Sequence, residues 1–396
     1  MIIRQECLLS LEEITKGRNQ SKGRLTRILA KLPTQSLERQ LRKESRKGPE
    51  GYAPESMLLS LVAMRVMGLR YISDLVQQLD MNPTLRYLCG FSVLGRTPSE
   101  ATYSRFLKKI AEKELPQQLF DEMLAKFLPD IDCRKVAVDA SAIEARENSF
   151  AKDARRKTGE PPSADKPSWG VKSGTPLGRG KSHWYGWKLH LAIDADRGIP
   201  LAFTITTAAV HDTVPAAALC EKAQALVGGK AKHFLLDKSY DTEKLHLFIR
   251  DTLRAAPIIP LQTRRNPTPA PHLDKHCAPV CSLGYSMVYW GFDGIYHKFR
   301  CPHVCGKVDC PMGSRWCSNS NYGFVVKQKA NSDPRKFGVP HRCSRTWKQL
   351  YKVRNQVERC FALLKSFCSL NLISHKGLSK VSAMIALSLV VLLASF

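Results

Sequence analysis

The chain has 396 residues, 43% of them hydrophobic and 24% charged, which excludes a disordered polypeptide and leaves room for two or three domains with real cores. Sixty-one Lys and Arg against thirty-five Asp and Glu leave a net charge of +26 and a pI near 9.7. Such a field repels basic partners and draws polyanions, nucleic acid above all, although charge alone leaves a ribosome-type or membrane-surface binder open.

MIIRQECLLSLEEITK lacks a long apolar core and turns charged at once, so no signal peptide is expected. Ser10 with Glu13 forms a capping-box pattern there. From Lys16 to Lys47 there are eleven basic and two acidic residues. ESMLLSLVAMRVMGLRYISDLVQQL then predicts a long apolar helix broken near Gly68, and GRTPSEATYSRFLKKIAEKEL a further helix with Thr97 as N-cap and Pro98 at the first position. Short helices joined by tight turns suit a helix-turn-helix reader of double-stranded DNA, with Thr102, Arg105, Lys108 and Lys109 on its second helix. The competing reading is a plain helical bundle with a charged exterior. Residues 1–130 form this helical unit.

After Asp132 the period changes. KVAVDASAI (135–143) predicts a strand, and WKLHLAIDADRGIPLAFTITTA (187–208) a hairpin turning at Asp196–Gly198. HDTVPAAALCEKAQALVGG predicts a helix capped by Asp212. HFLLDKSY (233–240) is a short apolar run ending in an acid, followed by a helix from about Asp241 to Leu253 and an edge strand in AAPIIPLQ (255–262). Strand, hairpin, helix, strand, helix, strand is an α/β order, that of ribonuclease H-like nucleases, and 131–262 is its first part. Within it, 146–186 is a polar insert holding Pro161, Pro162, Pro167, Pro176 and Arg155–Arg156–Lys157, with Trp169, Trp184 and Trp187 in or beside it. Basic residues among aromatics suit phosphate contact and base stacking, and a solvated loop fits as well. Lys188 is a further candidate for DNA contact.

Residues 263–345 hold seven of the thirteen cysteines. Cys277 with Cys281 and Cys301 with Cys305 form two CxxxC pairs, and Cys310 and Cys317 follow closely. Four thiolates hold a structural Zn2+, and any four of these six could supply them, with His276 and His303 nearby; the alternative is a set of small buried thiols. With no export signal, thirteen cysteines point to thiols or metal ligands in a reducing, cytoplasmic setting.

Residues 346–396 begin with YKVRNQVERCFALLK. At about 100° per residue, Tyr351, Arg354, Glu358 and Lys365 share an arc of roughly 60°, while Leu350, Val353, Val357, Cys360 and Leu364 gather roughly 110° away. An ordinary Arg354–Glu358 surface pair would explain part of this pattern. The closing run Met384–Phe396 is thirteen residues, too short to span a bilayer, and predicts a buried helix; no membrane partner is expected.

Three acids stand where such a fold converges: Asp139 in the first strand, Asp237 after the parallel strand and Glu358 on the final helix. Asp241 is set aside as a helix cap, Asp194 and Asp196 as turn residues, and Glu144 and Glu147 as the frayed end of the first strand. Three carboxylates suit Mg2+ or Mn2+, hard ions that take oxygen ligands. Two such ions would serve an in-line phosphoryl displacement.

The Tyr-x2-Arg-x3-Glu-x6-Lys arrangement of Tyr351, Arg354, Glu358 and Lys365 resembles the signature of bacterial insertion-sequence transposases with an Asp-Asp-Glu triad. VAVDASAI, the WYGWKLHLAIDADRGIPLAFTITTAAVHD block, FLLDKSYD (with Ser239 where Gly is usual) and RYLCGFSVLGRTPSEATYSRF are similar to further blocks of that family, over roughly residues 50–390. The resemblance implies a ribonuclease H-like catalytic core with a helical N-terminal DNA-binding domain and a Cys-rich insertion. It implies that Asp139, Asp237 and Glu358 coordinate two Mg2+ ions and that Tyr351, Arg354 and Lys365 contact phosphates of the transposon end. It further implies cut-and-paste transposition at terminal inverted repeats and in target DNA by a synaptic homodimer. A catalytically silent DNA-binding regulator derived from such an enzyme, or a stand-alone metal-dependent nuclease, would share most of these features.

Overall fold

The computed structural model describes residues 23–41, 51–147, 165–173, 181–262, 272–313 and 315–396. The Ser10–Glu13 pattern, both ends of the basic Lys16–Lys47 run (16–22 and 42–47), Arg155–Lys157, Pro161, Pro162 and Pro176 lie outside them.

The N-terminal segment folds as helices α1 (Arg24–Ala30), α2 (Gln35–Leu41), α3 (Pro54–Met67), α4 (Ile72–Met81), α5 (Pro83–Leu88), α6 (Glu100–Glu112) and α7 (Leu115–Ala125). The long apolar pattern breaks at Gly68, whose φ of +74° closes α3 in the left-handed conformation that glycine adopts without strain. The start of α6 differs from expectation. Ser99, not Thr97, is its N-cap, its Oγ accepting from the Thr102 amide at 3.3 Å, and the Thr97 hydroxyl donates instead to Asp80.

The sheet follows. β1 (Lys135–Glu144), β3 (Lys181–Asp194) and β4 (Pro200–Thr207) are antiparallel, and β5 (His233–Leu236) and β6 (Ala256–Ile258) add parallel strands beyond β1. The polar insert is not all loop, because Ser168–Ser173 forms β2 along the first half of β3. The order is β2-β3-β1-β5-β6 with β4 also on β3, so the chain is mixed α/β. Gly186 is needed where β3 crosses β1: a Cβ there would lie 2.0 Å from the Ile143 carbonyl oxygen. Trp187 is fully buried beside it, so it is a core residue.

Helix α8 (Thr213–Leu226) links β4 to β5 and packs on β3 and β4. Asp212 stands at its N-cap position, as expected, but its carboxylate makes no capping hydrogen bond and accepts instead from Lys188 Nζ at 2.8 Å. Asp241, by contrast, does not cap α9 (Glu243–Leu247), which starts after Thr242 and continues as a π-helical turn, Phe248–Thr252. Asp241 is buried and accepts from His246 Nε2 (3.0 Å), the Gln262 amide (2.8 Å) and Arg335 (2.6 Å). Burial pushes its carboxyl up, but these donors outweigh it and hold the group down at about 2.

The cysteine-rich segment builds a second sheet, β7 (Val288–Phe292), β8 (Tyr296–Arg300) and β9 (Val325–Lys329), over a small core of Ala278, Met287 and Phe299. Arg335 on Asp241 and Arg342 on the Ile259 carbonyl (2.8 Å) fasten it to the main body.

Helices α10 (Arg345–Val353), α11 (Asn355–Phe367) and α12 (Leu378–Ser395) close the chain. The apolar run at the end belongs to a helix that begins earlier than expected, at Leu378, and its 18 residues are long and apolar enough to cross a membrane. Here α12 is 72% buried, packed on α3, α6, α7 and α11, where each fully enclosed Leu, Ile or Val contributes about 1.5–3 kcal/mol. Arg65 on α3 is fully buried, with Nε donating to Ser388 Oγ at 3.1 Å and Nη2 to the Ser369 carbonyl. The N-terminal helices, the sheet and α12 thus share one continuous core.

Candidate active site

Parallel pairing of β1 with β5 sets Val138 opposite Leu236, both fully buried. One residue further along each strand, Asp139 and Asp237 turn to the opposite side of the sheet. Glu358 reaches that side from the first turn of α11, which packs on β1 through Val357, Cys360 and Leu364. The expected apolar face of this helix is therefore the buried one.

The helix is not a single piece, however. It divides at Arg354, where the Arg354 amide bonds the Tyr351 carbonyl (3.0 Å) and the Val357 amide bonds the Arg354 carbonyl (3.0 Å). These i→i+3 bonds tighten the turn. The Arg354 side chain, about one-tenth exposed, lies among the acids: Nη1 donates to Asp139 Oδ2 at 3.0 Å, Nη2 to Glu358 Oε1 at 2.9 Å, and Nη2 stands 3.9 Å from Asp237 Oδ1. All three carboxylates meet one guanidinium. An exposed Arg354–Glu358 pair alone is thus the wrong description.

Burial pushes the Asp139 carboxyl up to about 6, against the pull of Arg354 and the Ala140 amide and with added repulsion from Asp237 and Glu358. Burial works against the charge on Arg354, but Asp139, Tyr351 and Asp237 outweigh it and raise its pKa. The Tyr351 ring stacks on Trp347 (centroids 5.1 Å apart, 15° between planes) and lies under Arg354 at 5.9 Å. Beneath the acids, the buried Tyr240 hydroxyl has no hydrogen-bond partner among the described residues, and burial with Asp139 nearby raises its pKa. Lys365 is half-buried on α11, seven residues and so about two turns beyond Glu358.

Among the described residues, no three His, Cys, Asp or Glu side chains stand ready to hold a metal ion. Arg354 fills the space between the three acids. Their oxygens are nevertheless the donor set that a hard divalent cation takes, and three carboxylates against one guanidinium leave the cluster short of positive charge.

Residues 133–394, which hold all three acids, match the Transposase DDE domain family. The chain belongs to that family. A second match, to a transposase domain (DUF772), covers residues 10–109. Among solved structures, the chain is similar to the piggyBac transposase in a cryo-EM synaptic complex with hairpin DNA, at 11% identity and a TM-score of 0.41, over 93% of this chain and 72% of that one. No curated protein matches.

Elsewhere in the transposase, Arg105, Lys108 and Lys109 are exposed on α6, opposite buried Tyr103, Leu107 and Ile110. Lys108 faces Glu112 at 3.7 Å, and Lys109 Nζ reaches the Leu41 carbonyl at 3.4 Å. Lys188 donates internally to the Val210 carbonyl and to Asp212, each at 2.8 Å. Asp194 and Asp196 serve the hairpin turn: Asp194 Oδ1 accepts from the Asp196 amide at 3.1 Å, and Asp196 pairs with Lys135 at 2.8 Å. The six candidate cysteines are free thiols; Cys281, Cys301, Cys310 and Cys317 line one cavity, and Cys277 and Cys305 do not. Sequence reasoning missed Trp347, for which its spacing of four from Tyr351 was the available signal. It also missed Tyr240, visible only as an aromatic following the second acid.

Proposed function

We propose that this transposase binds the terminal inverted repeats of its element and carries out cut-and-paste transposition on a ribonuclease H-like core, with Asp139, Asp237 and Glu358 as its catalytic acids. The observation that supports the reading is the meeting of these three carboxylates, distant in sequence, on Arg354. Water attacks the phosphodiester at the element end and releases a 3′ hydroxyl, which then attacks a second phosphodiester and displaces its 3′ oxygen. Two Mg2+ or Mn2+ ions, held by the three acids, would supply Lewis-acid activation of the attacking oxygen and charge stabilisation of the leaving one.

The chain's own residues have separate tasks. Asp139 lies in β1 and Asp237 directly follows its parallel neighbour β5, so pairing of the two strands sets their spacing. Arg354 holds the acids together in the free protein and passes to a DNA phosphate on binding, where a bidentate guanidinium suits the phosphate geometry. Tyr351, backed by Trp347, donates its hydroxyl to the same strand, and Lys365 neutralises a phosphate further along. Arg105, Lys108 and Lys109 contact the duplex from α6, and two-ended repeats call for a homodimer.

Purified protein with a cloned element end and Mn2+ should cut at the repeat boundary and join the product to a plasmid. Asp139→Asn, Asp237→Asn and Glu358→Gln should each abolish cutting while retaining end binding. Wild-type cutting by any of the three refutes the triad, and cutting without joining reduces the protein to a nuclease.

A further inference from the structure

Residues 301–324, between β8 and β9, carry no helix or strand among those described. So long an irregular stretch is unusual in a compact unit, and the core beneath it is three side chains, Ala278, Met287 and Phe299. A unit this small needs a staple to hold its loops. Four cysteines meet where the staple is needed. Cys281, Cys301, Cys310 and Cys317 line one cavity of about 10 Å3, room for a single water-sized sphere and too small for an organic ligand.

The backbone presents these thiols in a recurring way. At Cys281, the Gly284 amide closes on the Cys281 carbonyl at 2.8 Å, with Gly284 at φ +85°. At Cys310, the Gly313 amide closes on the Cys310 carbonyl at 3.0 Å, with Gly313 at φ +65°. These are two Cys-x-x-Gly turns of the same design. Cys301 leaves the end of β8 with its amide on the Phe324 carbonyl at 2.9 Å, and a side chain at Gly323 would meet its Cβ at 3.0 Å. Cys317, in the same irregular stretch as Cys310, completes the cysteine lining of the cavity. All four are free thiols. His303 is not a rival through Nδ1, which accepts from the Cys310 amide at 3.2 Å.

We propose that Cys281, Cys301, Cys310 and Cys317 bind one structural Zn2+ that pins the 301–324 loop to the turn before β7, with Cys277 and Cys305 outside the ligand set. The thiols share a cavity but do not form a finished cage, so the ion must draw them together. Binding turns four thiols and Zn2+ into a tetrathiolate and releases four protons, which makes loading weaken as pH falls. This site is independent of the acid cluster and of the reading proposed for it.

Full-length protein purified without chelator should contain about one zinc per chain. Replacement by Co2+ should give the intense near-ultraviolet sulfur-to-cobalt absorption of four thiolates. Cys305→Ser and Cys277→Ser should keep the zinc, whereas Cys281→Ser, Cys301→Ser, Cys310→Ser or Cys317→Ser should lose most of it. Because such variants can misfold, alkylation of wild-type protein mapped by mass spectrometry gives a second reading: zinc should protect the four ligands, leave Cys305 reactive, and release all four on chelation. Protein without zinc, protection of Cys305 in place of one of the four, or a disulfide within the set overturns the assignment. Failure of DNA cleavage leaves the zinc count unchanged, so the two readings fail separately.

Discussion

Replacing Arg354 by Met tests the charge arrangement at the acid cluster. The substitution keeps much of the apolar stem and removes the guanidinium. A charge-assisted hydrogen bond contributes about 1.5–3 kcal/mol, and the part-buried contact to Asp139 at 3.0 Å should count nearly in full. Glu358 is more than half exposed, so its contact at 2.9 Å contributes less than about 1 kcal/mol. The expected loss is therefore about 2–4 kcal/mol at pH 8, read by urea unfolding. Its pH dependence has a definite sign. Asp139 is raised to about 6 from 3.8, so the folded state holds its proton more tightly than the unfolded chain does. Stability from this group is fully present below about 3.8 and is lost as pH rises through about 6. Without Arg354 that loss at pH 8 deepens, whereas at pH 5 Asp139 is largely protonated and has little use for the cation. The difference between variant and wild type should shrink on acidification. Mg2+ should stabilise the variant more than the wild type, because no guanidinium has to leave; saturation at 100 times Kd gives about 2.7 kcal/mol. A stability loss equal at both pH values, or an equal Mg2+ shift in both proteins, refutes the reasoning.

Asp241, held down at about 2, contributes stability that is present above about 3.8 and is lost as pH falls toward 2; Asp241→Asn should flatten the acid limb of a circular-dichroism titration. Its cost at neutral pH should be about 2 kcal/mol, since Arg335 can turn to water. Gly186→Ala should prevent soluble expression, because its Cβ would meet a backbone carbonyl at 2.0 Å, whereas Gly228→Ala, with open space around it, should lose only about 1–2 kcal/mol in thermal melts. Arg65→Met leaves Ser388 and the Ser369 carbonyl without their donor, an expected loss of about 3 kcal/mol in urea unfolding, and Arg65→Lys should recover only part of it because an ammonium lacks the planar fork.

Features set by local periodicity were legible in the sequence. The β-branched and apolar content of 135–143 and 187–208 specified β1 and the hairpin, whose strands are buried on both faces over much of their length, and the break at Gly68 followed from glycine's tolerance of positive φ. That Asp139 and Asp237 come together was legible for a related reason: parallel pairing of β1 with β5 leaves little freedom in where their ends lie, whereas Glu358 arrives on a helix. Contacts made across long stretches of chain were not. Asp241 looked like a cap because nothing near it in sequence reveals Arg335, 94 residues on. The acceptors of Lys188, Val210 and Asp212, lie across a hairpin from it in the same way. Six cysteines fit a metal equally well on paper, and only the folding of the 301–324 loop separates four of them from Cys277 and Cys305. The helical wheel placed Arg354 on the face of Glu358, but a wheel cannot say what that face meets.

The position of the third acid rests on packing far from the chemistry. Asp139 and Asp237 are set by the pairing of β1 with β5, but Glu358 is on a helix whose backbone, among the described residues, makes no hydrogen bond to the sheet. Its alignment comes from Val357, Cys360 and Leu364 pressed on the core, and from α12 packed against α11. Helix α12 is in turn held by α3, α6 and α7, with buried Arg65 tying Ser388 to α3. The N-terminal helices therefore form the far wall of the structure that aims Glu358. Loosening that wall should displace Glu358 before it disturbs Asp139 and Asp237, so the proposed DNA cutting should be lost under milder destabilisation than folding of the sheet.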